Sequence, residues 1–424
     1  MNVLLISANS EQAYMPVPPL GLLCVAQASL QAGHNTAVVD LMAEEDVGNR
    51  LKNTIASLKP DVIGISVRNI DDQNMQNPRL LLDQSRDVTH TCRTLTDAHI
   101  VVGGPGYSMF PEDALNYLGA DTGIVGDGED LFPILLERLE HGGSTAGIPG
   151  VVGPGDKFKG ERTRSRHLDR FPPPDPGLLD QSAYDPGRLW VPVQSRRGCP
   201  LGCAYCSTAS IEGRVIRRRS PGEVVRWLKR WVDAGFRRFH FVDNTFNLPA
   251  SYAEALCDRI SASGLDVEWL CILYPGGLTD RLVRKMSLAG CRQVSLGFES
   301  GSPRMLRSLK KRFGPEEIRL AARMLSDHGI RGMGFLMLGG PGETRNSVEE
   351  SVAFADSLDL DMFKVTVGIR IYPDTPLAEL ARRNHTISQT DSLLMPRFYL
   401  EKGLEGWLEE RVDAWVAERE HWQR

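Results

Sequence analysis

Three cysteines fall within eight residues, in the run Arg197-Gly198-Cys199-Pro200-Leu201-Gly202-Cys203-Ala204-Tyr205-Cys206. Thiolates this close repel one another and react readily unless a metal takes them. Gly198, Pro200 and Gly202 make the run a loop that can wrap around a bound group. Structural zinc needs four ligands. No fourth Cys or His lies nearby, so distant His167 or His240 would have to be recruited. An iron–sulfur cube normally takes four cysteines, and three would leave one iron open to an external ligand, an arrangement for catalysis. The other five cysteines, Cys24, Cys92, Cys257, Cys271 and Cys291, sit in apolar surroundings and read as core residues.

The elements around this loop follow from periodicity. Residues 1–140 alternate between short Val/Ile-rich runs (3–7, 36–40, 62–67, 100–102 and 123–125) and helical stretches (20–32, 47–58, 80–97, 111–118 and 129–140). Uninterrupted apolar strands between helices predict a doubly wound parallel sheet covered on both faces. Its unusual residues follow the strands: Ser66, Arg68 and Asn69 after the third, Gly103, Gly104 and Gly106 after the fourth, and Gly126, Gly128 and Glu129 after the fifth. Ligands of open α/β sheets bind at that edge, where glycines permit close approach. Each glycine alone also reads as an ordinary turn residue.

Residues 141–190 are rich in Pro, Gly and Arg and read as a connector, with a small hairpin around 151–158. Arg162, Arg164, Arg166 and Arg170 within it read as a solvated face. From 191 the alternation resumes, with strands at 191–195, 238–242, 268–273, 293–298, 332–338 and 363–371. Six βα units in so short a span predict a partial (β/α)6 barrel covering 191–385. The cysteine loop then follows the first barrel strand, at the end where barrels build active sites. In the 386–424 extension, Trp407, Trp415 and Trp422 fall near one face of a helix at about 100° per residue, for packing on the barrel or for a dimer contact.

The chain has 424 residues, of which 42% are hydrophobic and 24% charged, as in an ordinary globular protein. A net charge of −5 argues against a nucleic-acid partner. No run approaches the ~18–20 apolar residues of a membrane span. The start, Met1-Asn2-Val3-Leu4-Leu5-Ile6-Ser7, lacks a basic region and a cleavage site and reads as a first strand, which with eight unpaired-looking cysteines predicts a cytoplasmic protein.

CysxxxCysxxCys after the first strand of a partial barrel resembles the radical S-adenosylmethionine (SAM) superfamily. Tyr205 matches the aromatic residue this superfamily places before the last cysteine. The resemblance implies that Cys199, Cys203 and Cys206 hold a [4Fe–4S] cluster whose open iron binds SAM and cleaves it to a 5′-deoxyadenosyl radical. Gly297-Phe298-Glu299-Ser300 matches a SAM-contacting motif, which implies roles for Glu299 and Ser300; a helix cap is the other reading of Glu299. Leu338-Gly339-Gly340-Pro341-Gly342-Glu343 resembles the glycine-rich segment near adenine, implying Gly339. Asp243 ends the second barrel strand, where a polar residue often meets SAM. One of Arg217, Arg218 and Arg219, with Arg219 the chosen candidate, would pair with the SAM carboxylate. The same arginines also read as a solvated helix start.

Within this superfamily an N-terminal doubly wound domain implies cobalamin. The matching loops are Pro18-Pro19-Leu20-Gly21, Val101-Val102-Gly103-Gly104-Pro105 and Val125-Gly126-Asp127-Gly128-Glu129. Ser66, Arg68, Gly103, Gly104, Gly106, Gly126, Gly128 and Glu129 would line the corrin. The loop after the first strand, 7–16, lacks the cobalt-ligating histidine of AspxHisxxGly. The family reading is a methyltransferase: one SAM methylates the corrin, a second yields the radical, and an unactivated carbon of a small molecule receives the methyl. A flavodoxin or ferredoxin would supply electrons. Cyclisation, ring contraction or oxidation with the same cofactors, a radical SAM enzyme without cobalamin, and a non-catalytic sensor are the alternatives. Methylthio transfer to tRNA would need a second cysteine trio in the N-terminal domain, which has only Cys24 and Cys92.

Overall fold

The computed structural model describes every residue except 10–15, 43, 161 and 182–183. Most of the loop expected to lack a cobalt ligand, residues 10–15, therefore lies outside the described residues.

The first sheet contains β1 (Asn2–Ser7), β2 (Asn35–Asp40), β3 (Val62–Ser66), β4 (His99–Gly103), β5 (Thr122–Ile124) and β6 (Val151–Val152), in the order β2-β1-β3-β4-β5-β6. β1 to β5 pair in parallel, and Ser7 in β1 stands level with Ser66 in β3 and Asp40 in β2. β1 and β3 are buried almost throughout because helices cover both faces. Those helices are α1 (Leu20–Gln31), α2 (Val47–Leu58), α3 (Leu82–Leu95), α4 (Pro105–Met109), α5 (Pro111–Leu118) and α6 (Gly128–Glu140). The Asp46 carboxylate caps α2 by accepting from the Asn49 N–H at 3.0 Å. The expected hairpin at 151–158 does not form. β6 instead pairs antiparallel with β5, Gly123 opposite Val152, and completes the sheet.

The second sheet is an open barrel in the order β17-β14-β13-β12-β11-β10-β7. Its strands are β7 (Val191–Val193), β10 (Arg238–Phe241), β11 (Glu268–Leu273), β12 (Cys291–Glu299), β13 (Arg331–Leu338), β14 (Met362–Val367) and β17 (Trp422–Gln423). Short pairs β8 (Arg196–Arg197) with β9 (Arg217–Arg218), and β15 (Ile369–Arg370) with β16 (Phe398–Tyr399), brace the loops at its mouth. In β10, β13 and β14 buried residues alternate with partly exposed ones, so one face packs on the helices and the other lines the lumen. The helices are α7 (Thr208–Glu212), α8 (Pro221–Asp233), α9 (Ala250–Ala262), α10 (Asp280–Leu288), α11 (Pro303–Ser308), α12 (Pro315–Asp327), α13 (Arg345–Asp356), α14 (Pro376–Arg383) and α15 (Trp407–Glu418). No described helix is long and apolar enough to cross a membrane.

Two expectations change. The sixth strand stops at Val367, because Gly368 (φ +73°) turns the chain and a Cβ there would lie 2.3 Å from Met75 Sδ. Trp422 leaves the helix that carries Trp407 and Trp415 and becomes a seventh barrel strand, Trp422 beside Phe363. Trp415 and Trp422 are buried in the barrel's own core.

The strand ends of the first sheet face the barrel mouth. Leu23 and Cys24 of α1 join the barrel core, while Ile369, Ile371 and Leu377 join the core of the first sheet. Asp71, after β3, accepts from Arg370 Nε at 2.7 Å, and both side chains are buried. Arg370 also donates to the carbonyls of Ile371, Leu393 and Leu394. Such a pair holds two lobes in one register, since neither charge can be left alone without cost.

Candidate active site

The cysteine loop is built by its own backbone before any ligand is considered. Gly198 has φ +94°, and a Cβ would sit 2.3 Å from the Val215 carbonyl oxygen, so only glycine fits. Glu212 clasps the loop's start: its carboxylate accepts from the Gly198 N–H at 2.8 Å, Gln194 Nε2 at 3.0 Å and Asn244 Nδ2 at 2.5 Å. The Cys199 N–H donates to the Gly213 carbonyl, and Ala204 is bracketed by Leu309 and Leu377 through two backbone bonds of 3.0 and 2.9 Å. Cys199, Cys203 and Cys206 are free and partly exposed, while the other five cysteines are free and buried. Burial pushes the Cys199 and Cys203 thiols up, and the neighbouring thiolates push further. Two thiols held up in this way, beside a third on the same loop, fit a metal centre that would offset their charge. Among the described residues no three His, Cys, Asp or Glu side chains could hold a metal ion. Three thiols on one loop are the donor set of an iron–sulfur cube with one iron left open.

Beside this loop Glu299 ends β12 with φ +67°, where the register with β13 slips. Its Oε1 accepts from Tyr205 Oη at 2.9 Å and Lys311 Nζ at 2.9 Å, and Lys311 also donates to Tyr205 Oη at 3.1 Å. Burial opposes the charge on Lys311, but Glu299, with Tyr205 and Cys203 nearby, holds its ammonium well above the usual range. Tyr205 and Glu299, read from two separate motifs, are in contact. Gly339 (φ +96°) donates its N–H to Glu343 Oε2 at 2.5 Å, and a Cβ there would meet Leu400 Cδ1 at 2.5 Å.

Three other candidates point into the protein. Asp243 has no exposed surface and accepts from the N–H groups of Ser195 (2.8 Å) and Arg196 (3.0 Å) and from Ser195 Oγ (2.5 Å), which fixes the approach to the loop. Ser300 is buried against Ser351 Oγ at 2.7 Å. Arg219 donates to the carbonyls of Leu168 (2.9 Å) and Phe171 and lies 5.1 Å over Trp227, so its guanidinium ties the connector to α8. The side chain is buried and its Nη1 is committed to the chain itself, unlike the open carboxylate ligand expected. Arg162 and Arg164 are likewise not a solvated face: they donate to the carbonyls of Ser108 and Ser210 at 2.7 and 2.8 Å.

A cavity of about 330 Å³, open to solvent, lies where the two sheets meet. Ser66, Arg68, Gly103, Gly104, Gly126, Gly128 and Glu129 line it, all from the strand ends of the first sheet. Gly106 does not: it is buried against the Val67 and Arg68 carbonyls, where a Cβ would come within 3.0 and 3.1 Å. The cavity reaches down to Leu5, Gly64, Val101, Ile124 and Phe132, an apolar floor between sheet and helices. Gly64 keeps that floor open, since its Cβ would stand 2.5 Å from Leu5 Cδ2. At about 330 Å³ the space falls at the lower end of the ~300–1,000 Å³ of ordinary small-ligand pockets. Its open mouth, glycine rim and apolar floor fit a flat ligand lying on the sheet edge.

The opposite wall comes from the barrel: Pro192, Gln194, Arg197, Ile211, Glu212 and Val242. Arg197 donates to Asp127 Oδ1 at 3.0 Å and Glu129 Oε2 at 3.1 Å, and its Nε to Gln194 Oε1 at 2.8 Å. Arg217 donates to Asp127 Oδ2 at 2.5 Å and the Ser165 carbonyl at 3.0 Å. Residues flanking the thiols therefore form one side of the cavity. Asp127, Gln194, Glu212 and Lys311 escaped the sequence reading. Asp127 lay within a quoted glycine loop, but no spacing marked the others.

Comparison with known proteins gives the family. A model of the radical SAM superfamily matches residues 193–355, and a B12-binding domain model matches residues 6–136. This chain is a radical SAM enzyme with a B12-binding domain. The enzyme is 28% identical over 398 residues to an uncharacterised methyltransferase of Pyrococcus horikoshii, covering 91% of this chain and 84% of the relative. It is 23% identical to a tryptophan 2-C-methyltransferase of Streptomyces laurentii, covering 88% and 73%. Among solved structures, the radical SAM methyltransferase TsrM of Kitasatospora setae, with cobalamin and a [4Fe–4S] cluster bound, superposes with a TM-score of 0.85 at 22% identity over 99% of this chain and 90% of that one. The cobalamin-dependent radical SAM enzyme OxsB superposes at 0.78, with 17% identity, over 98% and 66%. The cofactors of this radical SAM enzyme are accordingly SAM, a [4Fe–4S] cluster and cobalamin.

Proposed function

We propose that this enzyme methylates an unactivated carbon of a small molecule, with Cys199, Cys203 and Cys206 holding the cluster and the inter-sheet cavity holding the corrin. When bound, the cluster with SAM supplies a hydrogen-abstracting radical and the corrin supplies the methyl group. The chain's own work is positional. Glu212 clasps the start of the loop that carries the three thiols, and Gly198 allows its turn. Glu299, steadied by Lys311 and Tyr205, offers its carboxylate to hydrogen-bond donors beside the cysteines. Gly103, Gly104, Gly126 and Gly128 let a flat macrocycle lie on the sheet edge. The Asp71–Arg370 and Arg197–Glu129 pairs hold that edge against the barrel mouth, which shortens the path between the two cofactors and keeps water from the interval.

One observation carries this reading: the cavity and the cysteine loop share a wall through Arg197 and Glu212. Methylation is favoured over the other reactions of these cofactors by the methyltransferases among its relatives. A one-electron donor protein of the cytoplasm, where thiols stay reduced, completes the reaction. The test is anaerobic reconstitution with cluster and cobalamin, followed by separation of SAM products. Formation of both 5′-deoxyadenosine and S-adenosylhomocysteine, with a product fourteen mass units heavier than its precursor, supports methyl transfer. A corrin-free spectrum after reconstitution, or 5′-deoxyadenosine alone with no mass gain, contradicts it.

A further inference from the structure

A strongly basic strip lies on the solvent side of the cysteine loop. α11 and the turn that follows it turn Met305, Leu306 and Leu309 inward. They leave Arg304, Arg307, Lys310 and Arg312 exposed on the outside. Lys311 is the exception in this run, committed to Glu299 and Tyr205. None of the four exposed cations makes an ion pair among the described residues; Arg304 donates to the Thr344 hydroxyl at 3.4 Å, and its charge is felt at a distance by the Glu343 carboxyl. Glu350 is the one carboxylate lining the shallow depression that Arg304 and Arg307 share. Four unpaired cations in nine residues are unusual on a chain whose net charge is −5.

Their place matters more than their number. The Leu309 carbonyl accepts the Ala204 N–H at 3.0 Å, so the strip is backed directly by the cysteine loop between Cys203 and Cys206. Lys311 lies 5.4 Å from the Tyr205 ring centroid, one residue from Cys206. A protein seated on the strip would be separated from the loop by a single buried layer, Leu309 and Ala204. Clustered charge of one sign on the surface steers an oppositely charged partner and orients it without demanding a large interface, the pattern of transient electron-transfer complexes.

We propose that Arg304, Arg307, Lys310 and Arg312 form the docking face for an acidic one-electron carrier protein, which delivers its electron across the Leu309–Ala204 contact. The carrier is oxidised by one electron and the centre held by the cysteines is reduced by one; no atom moves between the proteins. The proposal rests on the reading of that loop as cluster-bearing.

The test compares the reconstituted wild-type enzyme with R307E/K310E and, separately, R312E. Binding of oxidised flavodoxin is measured by calorimetry at low and high salt, and SAM cleavage is driven either by reduced flavodoxin or by dithionite. Both variants should bind flavodoxin at least tenfold more weakly, about 1.4 kcal/mol. Their affinity should depend less steeply on salt than that of the wild type. Flavodoxin-driven cleavage should fall with affinity, while dithionite-driven cleavage stays at the wild-type rate because no side chain of the site has changed. Unchanged affinity in both variants, or no binding of the wild type to flavodoxin or an acidic ferredoxin, overturns the proposal. Loss of dithionite-driven cleavage in the wild type counts instead against the cluster reading, and the binding measurement still decides the docking face.

Discussion

Replacing Arg197 with Met tests how the two lobes are held together. Arg197 is the cation that Glu129 contacts, through both terminal guanidinium nitrogens, and side-chain exposures of 12% and 5% leave little water to replace it. Asp127 fares better, since Arg217 and the Ser165 N–H still hold it at 2.5 and 2.8 Å. The substitution therefore orphans one buried carboxylate rather than two. Orphaning a buried charge costs about 3–5 kcal/mol, and the slight exposure of Arg197 places this case near 3. Removing the charge on both sides should return most of that loss, because a buried pair contributes little net stability over apolar replacements. Urea unfolding of the cofactor-free chain, with E129M measured alongside, should show R197M losing about 3 kcal/mol and the double variant R197M/E129M about 1, so that removing Glu129 as well recovers about 2. Cobalamin retained on gel filtration should fall in parallel, since Glu129 and Arg197 line opposite walls of its cavity. A loss under about 0.5 kcal/mol in R197M, or a double variant as unstable as the two single losses summed, would refute the buried-pair reasoning.

Other consequences are as direct. Gly198→Ala places a Cβ 2.3 Å from a backbone oxygen at φ +94°, so it should cost ~2 kcal/mol or more and lower the iron bound after reconstitution, read by iron assay. Gly64→Val fills the cavity floor against Leu5 and Phe132; the corrin absorbance retained should drop severalfold while the iron content holds. Burial raises the Glu343 carboxyl from 4.5 to about 7 despite N–H donors at Gly339 and Gly340. The folded chain thus binds that proton more tightly than the unfolded one, so its contribution is full below pH 4.5 and is lost as pH rises through about 7. Glu343→Gln should remove that component of the pH–stability curve, measured by denaturation from pH 4.5 to 7.5.

Much of the architecture was legible because it rests on patterns the chain cannot disguise. Continuous apolar runs at β1, β3 and β4 announce strands covered on both faces, and α2 and α5 begin and end where their helical patterns do. Trp422 misled because the helical period continues past Arg419, whereas pairing of Trp422 with Phe363 is decided by a strand far away in the chain. The partner of β6 was misread for the same reason: a local hairpin is expected at 151–158, whereas the strand pairs with Gly123 and Ile124 far back in the chain. At the site, residue types that chemistry requires were visible, the three cysteines and the glycine loops above all. What could not be read was the division of labour among polar residues. Arg197, Arg217 and Arg219 look alike in sequence, yet one spans the lobes, one anchors Asp127 and one holds the connector. That difference arises from which carbonyls and carboxylates the fold brings to each, through partners some fifty to ninety residues away.

The most direct measurement is iron content and SAM cleavage, taken together, for the anaerobically reconstituted chain and for C199A, C203A and C206A, with C92A as the control. Three thiolates holding one cube predict about four irons and 5′-deoxyadenosine from the wild type and C92A, and neither from any of the three loop variants. Full iron and undiminished cleavage in even one of those variants would contradict the assignment from which the rest of the chemistry follows.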